Sequence, residues 1–131
     1  MNKIPEHDFT LSVNIPVTST EGLRDVLACL RKVPLAEVWL AHKSAAESIA
    51  TYKNADRAFV MFLGANSDEV LHAIDSSYVG APDRTLPIYM VNGQGDEQPI
   101  SQTVLVDDAY AAIIHFYEHS GPTTQVTWSS D

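Results

Sequence analysis

The chain has 131 residues, 45% of them hydrophobic and 19% charged, a composition typical of one globular domain rather than a disordered segment. Its 17 Asp and Glu residues outnumber its 8 Lys and Arg residues, which gives a formal net charge of −9 at pH 7. A surface of that sign repels nucleic acid and anionic membranes and attracts basic partners. We therefore expect neither a nucleic acid nor a membrane as its partner.

Three further features predict a soluble protein of the cytoplasm. Cys29 is the only cysteine, so an internal disulfide is impossible, and this favours a reducing compartment. The residues that precede Phe9 lack the apolar stretch of a secretory signal. No apolar run approaches the roughly 20 residues that a membrane-spanning helix requires.

The chain begins with a predicted strand and a predicted helix. Residues 9–17 alternate apolar and polar side chains, which is the period of a half-buried strand. Thr18 and Glu21 fit a capping box, and apolar residues then recur every three or four positions as far as Leu30. This pattern predicts a helix over about 19–32.

Three strands are predicted in the middle of the chain. Residues 37–42 form the first, and residues 58–63 form the second, which has apolar side chains on both faces and is typical of a central strand covered by a helix. Residues 69–74 follow a turn and return as its partner. We interpret the polar, alanine-rich residues 43–57 as a loop with at most one helical turn.

A second hairpin is predicted after a loop over 75–85. Residues 86–91 are predicted to be its first strand, and Asn92-Gly93-Gln94-Gly95 is a strong turn sequence. Residues 100–106 are the predicted return strand.

The last quarter of the chain predicts a helix and a short strand. Asp107 or Asp108 is the expected N-cap of a helix over about 108–119, and Gly121-Pro122 supplies its end. The apolar stripe of this helix consists of Ala109, Ala112, Ile113 and Phe116. Residues 126–128 are predicted to form a final strand. Together these elements predict a single α+β domain over residues 1–131, with a largely antiparallel sheet and two main helices packed on one face of it.

One motif bears on enzymatic chemistry. His115, Glu118 and His119 match the H-x-x-E-H pattern, in which two histidines on one helix face bind zinc and a glutamate activates water. We expect Glu118 on the solvent side, opposite the apolar stripe, and the histidines at an ordinary helix end. A metal-dependent enzyme that uses His115 and His119 is thus a less favoured alternative, and we expect no metal or cofactor.

Acidic residues are concentrated on the predicted turns. They suit solvated loops, and they also suit a binding rim on which carboxylates steer association and an aromatic side chain anchors it. The candidate binding residues are Asp68, Glu69, Asp75, Tyr78, Asp83, Asp96 and Glu97. Trp39 and Trp128 are interpreted as core or sheet-face aromatic residues.

The end of the chain resembles a known family. The matching residues are Val106-Asp107-Asp108-Ala109, the helical Phe116, Ser120-Gly121-Pro122 and Val126-Thr127-Trp128. They follow a β-α opening, a hairpin such as Phe59–Leu63 with Val70–Ile74, and a glycine-containing hairpin at Asn92-Gly93. In this pattern the chain resembles the bacterial polymorphic-toxin immunity proteins called immunity protein 1.

The resemblance implies an inhibitor rather than an enzyme. Proteins of this family bind a cognate secreted toxin, which is often a nucleic-acid-targeting toxin such as a zinc-dependent deaminase, and they generally block access of its substrate. The family supplies no catalytic residues, and its matching Gly121, Pro122 and Trp128 are expected to be structural. The implied partner is a toxin domain with a basic cleft, and the free protein is expected to be a monomer or a weak dimer. An acidic chaperone or adaptor for a secreted effector is the alternative, and it differs because it would hold a partly unfolded client.

Overall fold

A computed structural model describes residues 9–12, 15–65, 69–90 and 92–130. Two helices lie within these ranges, α1 (Thr20–Arg31) and α2 (Val106–His119). The strands, in chain order, are β1 (Phe9–Leu11), β2 (Ile15–Pro16), β3 (Leu35–His42), β4 (Glu47–Asn54), β5 (Arg57–Leu63), β6 (Val70–Ile74), β7 (Thr85–Tyr89), β8 (Gly95–Pro99), β9 (Val104–Leu105) and β10 (Thr127–Ser129). A 3₁₀ turn, Ile100–Gln102, joins β8 to β9.

The strands form one large sheet and one separate hairpin. The large sheet has the order β10-β6-β5-β4-β3-β1-β2, with β9 beside the first residues of β5, and its pairs are antiparallel. Strands β7 and β8 pair only with each other in a two-stranded sheet. The predicted single α+β domain with a largely antiparallel sheet and two helices is therefore confirmed.

Both helices pack on one face of the large sheet, which we call the helix face. Alternate residues of β3, β4 and β5 point into the main core beneath the helices. Phe116 of α2 is fully buried there, and its ring meets those of Phe9 and Phe62 edge to face at 5.6 and 5.9 Å. The opposite face, which we call the open face, carries a smaller cluster around Ala50 and Tyr52.

Helix α1 begins one residue later than the predicted capping box requires. Ser19 is the N-cap, and its Oγ accepts a hydrogen bond from the Gly22 amide at 3.0 Å. Thr18 is therefore not the cap, although both hydroxyl residues satisfy the local pattern. On the buried side of the helix, Leu23 and Leu27 enter the core as the spacing predicts.

Replacing Ser19 by alanine is expected to lower the free energy of unfolding by about 1 kcal/mol, because the Gly22 amide loses its acceptor. Urea denaturation followed by circular dichroism measures this change. Thr18→Ala removes an exposed hydroxyl one residue away and is expected to change stability by less than about 0.5 kcal/mol. A larger loss for Thr18→Ala than for Ser19→Ala would contradict the assigned cap.

Helix α2 also differs from its prediction at its start. The cap position is Leu105, which makes no side-chain hydrogen bond. Asp107 and Asp108 lie inside the first turn, where their negative charges interact favourably with the positive end of the helix dipole. The Val106 amide is satisfied instead by the Asp56 carbonyl at 3.0 Å. At the other end the helix stops at His119, and Gly121 adopts a positive φ of 73°, as the predicted stop requires.

The interpretation of residues 43–57 as a loop is wrong. Most of this segment is β4, which lies between β3 and β5 and has backbone partners on both sides. Its polar side chains hide the strand pattern, yet Thr51 and Lys53 are buried on the helix face. The Lys53 ammonium reaches the Val33 carbonyl, so its charge is hydrogen-bonded where it is buried.

Two other strand predictions need correction. The segment 9–17 is not one strand, because β1 and β2 pair with each other at Thr10 and Pro16 and the chain reverses between them; residues 13–14 lie outside the described ranges. The return strand of the second hairpin is β8 rather than 100–106. The turn is tighter than predicted, since Gly93 has a φ of 90° and Gly95 already pairs with Tyr89.

No helix within the described ranges is long and apolar enough to cross a membrane.

Candidate protein-binding surface

A line of aromatic side chains crosses the open face of the large sheet. Trp39, Tyr52, Phe59 and His72 come from the four neighbouring strands β3, β4, β5 and β6, and we call them the aromatic strip. Successive ring centroids lie 6.4, 6.3 and 6.0 Å apart. Ring contacts at these distances stabilise the strip beyond the area that it buries.

The β7–β8 hairpin covers only part of this strip. Ile88 of β7 is buried against Ala50 and Tyr52, and the Asn54 side-chain amide donates to the Pro87 carbonyl at 2.7 Å. Trp39, Phe59 and Met61 are only half-buried, so their side chains remain accessible beside the hairpin. Half-exposed aromatic residues on a rigid sheet are the type of side chain that anchors protein interfaces.

A carboxylate adjoins the Trp39 end of the strip. The Trp39 indole N–H donates to Glu37 Oε2 at 2.7 Å, and both side chains are half-buried. Glu37 lies directly opposite Tyr52 in the β3–β4 register. Burial raises the pKa of the Tyr52 hydroxyl, and the negative charge of Glu37 raises that pKa further. Charge and aromatic surface therefore occupy the same corner of the open face.

Two of the predicted binding residues, Asp96 and Glu97, lie together on the exposed hairpin. Glu97 accepts a hydrogen bond from the Thr85 hydroxyl at 2.7 Å, and Asp96 accepts from the Glu97 amide at 2.9 Å. With Pro87 and Tyr89 they line a shallow depression on the hairpin. Both carboxylates are solvent-exposed, and their adjacent positions in β8 keep them close together on a hairpin that a partner can reach.

Asp75 is placed differently from the prediction of a free acidic rim. Its Oδ2 binds Arg57 Nη2 at 2.7 Å, and only 18% of its side chain and 15% of that of Arg57 are exposed. The hydrogen bond from Arg57 lowers the pKa of the Asp75 carboxyl, and bonds from Ser77 lower it further, against the opposing effect of burial. Arg57 also binds the Thr103 hydroxyl and carbonyl, at 2.8 and 2.9 Å. Asp75 is thus an internal anchor of the fold.

The remaining predicted residues do not converge on one surface. Asp83 is exposed, and the Tyr78 hydroxyl donates within its own loop to Ala81 at 3.1 Å. Glu69 and Asp75 flank opposite ends of β6, and its five residues of extended chain place them about 20 Å apart. Asp68 lies outside the described residues.

The sequence interpretation did not single out Glu37 and Trp39 as candidate binding residues. Their spacing of two in a predicted strand already places both side chains on one face. The loop interpretation of 43–57 concealed Tyr52, which completes the corner, and neither Met61 nor His72 was considered as a binding residue.

Four basic side chains lie away from the open face. Arg24, Arg31 and Lys32 lie on α1 or at its end, and Lys53 points to the helix face. Arg57 is on the open face, but Asp75 neutralises it. The hairpin carries the exposed charges of Asp96 and Glu97, the exposed Arg84 precedes its first strand, and Glu37 is half-buried on the open face.

His115 and His119 lie in a groove of about 450 Å³ between α1 and α2. Their ring centroids are 5.0 Å apart, as one helix turn dictates. Glu118 is exposed, as predicted, and accepts a hydrogen bond from the Thr20 hydroxyl of α1 at 3.0 Å. Across the part of the chain that the structure describes, no group of three His, Cys, Asp or Glu side chains could hold a metal ion. The enzyme alternative thus rests on a histidine pair alone.

Comparison of the chain with models of known protein families gave no match, and comparison with curated proteins gave none either.

Proposed function

We propose that this protein is a cytoplasmic cognate immunity protein that binds a secreted bacterial toxin and inhibits it by blocking access of its substrate. Its action is binding rather than catalysis. The toxin class that the sequence resemblance implies is nucleic-acid-targeting, with deaminases as the leading example. The partner surface is expected to be folded and basic.

The observation that carries this proposal is the juxtaposition of the aromatic strip with the acidic hairpin. Protein interfaces concentrate their binding energy in a few aromatic anchors, while surrounding charges set the association rate and the choice of partner. Here Trp39 and Phe59 supply half-exposed aromatic surface, and Asp96 and Glu97 supply the charge. The antiparallel sheet beneath holds the anchors in fixed positions.

The charge of the protein supports inhibition as well as binding. A toxin that acts on nucleic acid needs a positively charged cleft for the phosphate backbone. A protein of net charge −9 is drawn to such a cleft, and its carboxylates compete with phosphate there. Occupation of the cleft would exclude the substrate without any chemistry by the inhibitor.

Toxicity rescue tests the proposal. The toxin domain encoded beside this protein is expressed with and without it, and the two chains are tested for co-purification. We expect restored growth and a stable one-to-one complex with a folded toxin. Binding of a partly unfolded toxin without rescue would indicate an effector chaperone, and neither binding nor rescue would refute both functions.

A further inference from the structure

The loop between β6 and β7, residues 75–84, presents an apolar side chain to solvent. Val79 is 97% exposed, whereas Ile15, the next most exposed large hydrophobic residue that the structure describes, is 50% exposed. Single apolar residues are common on protein surfaces, but nearly the whole side chain of Val79 is open to burial by a partner. We call residues 75–84 the valine loop.

Both ends of the valine loop are fixed to the 3₁₀ turn that follows β8. The Asp75 amide donates to the Ser101 carbonyl at 2.7 Å, and the Asp75 carboxylate is bound by Arg57. At the other end of the loop, the Ile100 amide donates to the Arg84 carbonyl at 2.9 Å. These bonds hold the two ends of the loop in place relative to the large sheet and the hairpin.

The residues on either side of Val79 pack against each other. The Tyr78 hydroxyl donates to the Ala81 carbonyl at 3.1 Å, and a Cβ added at Gly80 would lie 2.2 Å from that hydroxyl oxygen. The Tyr78 ring therefore covers Gly80 so closely that a side chain there would displace it. The Arg84 amide also donates to the Ala81 carbonyl, at 3.2 Å. Tyr78 thus shapes the loop, and Val79 projects from it.

We propose that the valine loop inserts Val79 into an apolar pocket of the toxin. The inference rests on the proposed function and adds to it a contact outside the aromatic strip and the acidic hairpin. A loop that is already held in one conformation loses little entropy on binding, so burial of its exposed side chain contributes to affinity. The loop runs directly into β7, so the charges of Asp96 and Glu97 on the paired strand direct the same encounter.

Two identical truncations on different surfaces test the contact. Val79→Ala is expected to weaken binding of the toxin domain encoded beside this protein about tenfold, because two buried methyl groups are lost. Val26→Ala makes the same change at an exposed position of α1, on the helix face, and is expected to alter the affinity by less than about twofold. Isothermal titration calorimetry measures both dissociation constants. Since Val79 is exposed, its truncation is expected to leave stability in urea unchanged.

NMR of the complex locates the Val79 side chain directly. With labelled valine methyl groups in this protein, we expect nuclear Overhauser contacts from the Val79 methyls to apolar side chains of the toxin. The Val26 methyls are expected to show none. Absence of contacts from Val79 in a stable complex would overturn the inference.

Gly80→Ala tests whether the closed loop presents Val79. The added methyl displaces the Tyr78 ring, so we expect faster hydrogen exchange at the Arg84 amide of the free protein and roughly threefold or more weaker toxin binding. Unchanged exchange and unchanged affinity would show that the packing of Tyr78 on Gly80 does not present Val79, which would overturn the inference.

The same measurements distinguish failure of this inference from failure of the proposed function. Rescue and binding by the wild-type protein, with Val79→Ala binding as tightly as Val26→Ala, would leave immunity standing and remove the loop contact. Neither binding nor rescue by the wild-type protein would refute the proposed function and this inference together.

Discussion

Reversing both hairpin charges, Asp96→Lys with Glu97→Lys, is expected to slow association with the toxin by about ten- to a hundredfold at low ionic strength. These exposed carboxylates border the open face, so a basic partner that approaches it meets attraction in the native protein and repulsion in the variant. Stopped-flow or surface-based kinetics measure the association rate, and loss of growth rescue is the expected cellular result.

A matched variant controls for net charge in this experiment. Each reversal raises the charge by two, so the hairpin pair takes the protein from −9 to −5, and Glu21→Lys with Asp25→Lys on α1 does the same. We expect the α1 variant to slow association less than about threefold, because its charges lie on the helix face. Equal slowing by the two variants would show that the overall charge, and not the hairpin, directs the encounter.

Arg57→Met is expected to lower the free energy of unfolding by roughly 2–4 kcal/mol, measured by urea denaturation. The substitution leaves the largely buried Asp75 carboxylate without its cation. It also removes the hydrogen bonds that Arg57 donates to the Thr103 hydroxyl and carbonyl. A loss below about 0.5 kcal/mol would contradict the role of this pair as an anchor. In that case Asp75 would return as a candidate for toxin contact.

The pH dependence of the free energy of unfolding is a second test of Asp75 as an anchor of the fold. Its pKa in the folded protein lies below the ordinary value of 3.8, so the ionised form stabilises the fold fully at pH values above 3.8. This contribution shrinks as the pH falls through 3.8 and disappears below the folded pKa. The stability advantage of the wild-type protein over Asp75→Asn is therefore expected at neutral pH and is expected to decline with acidification through this window.

Asp83→Asn is the matched control for that measurement. Asp83 is exposed and belongs to the same loop, so its removal is expected to change stability by less than about 0.5 kcal/mol at any of these pH values. The comparison separates a carboxylate bound inside the fold from one in solvent. The sequence alone did not distinguish Asp75 from Asp83, because both occur in a predicted polar loop.

The sequence pattern within a single helix or strand was sufficient to predict several of the buried residues. Leu23 and Leu27 of α1 and Phe116 of α2 recur at helical spacing, and the structure buries all three. The apolar side chains on both faces of residues 58–63 predicted a central strand under a helix, and Ala58, Val60 and Phe62 are buried on the helix face. The local sequence predicts these features because the direction of each side chain is set by the geometry of its own helix or strand.

Pairing between strands decided what the pattern within one segment did not. Strand β4 forms because β3 and β5 provide hydrogen-bond partners for its backbone on both sides. Its own side chains, such as Thr51 and Lys53, do not show the apolar pattern that predicts a strand. For the same reason β9 pairs with β5 rather than completing the hairpin. Backbone hydrogen bonds to neighbouring strands outweigh the weak intrinsic preferences of such residues.

Some features of the candidate site also follow from the sequence, and others required the tertiary structure. The sequence by itself determined the negative charge, the exposure of Asp96 and Glu97, and the common face of Glu37 and Trp39, since these follow from composition and a period of two. Only the tertiary structure decided that Asp75 serves the fold and that Tyr52 joins Glu37 and Trp39 in one corner. The physical reason is that the first arrangement depends on β5 lying beside β6 and the second on β3 pairing with β4, and the identity of a residue does not specify its neighbours in other strands.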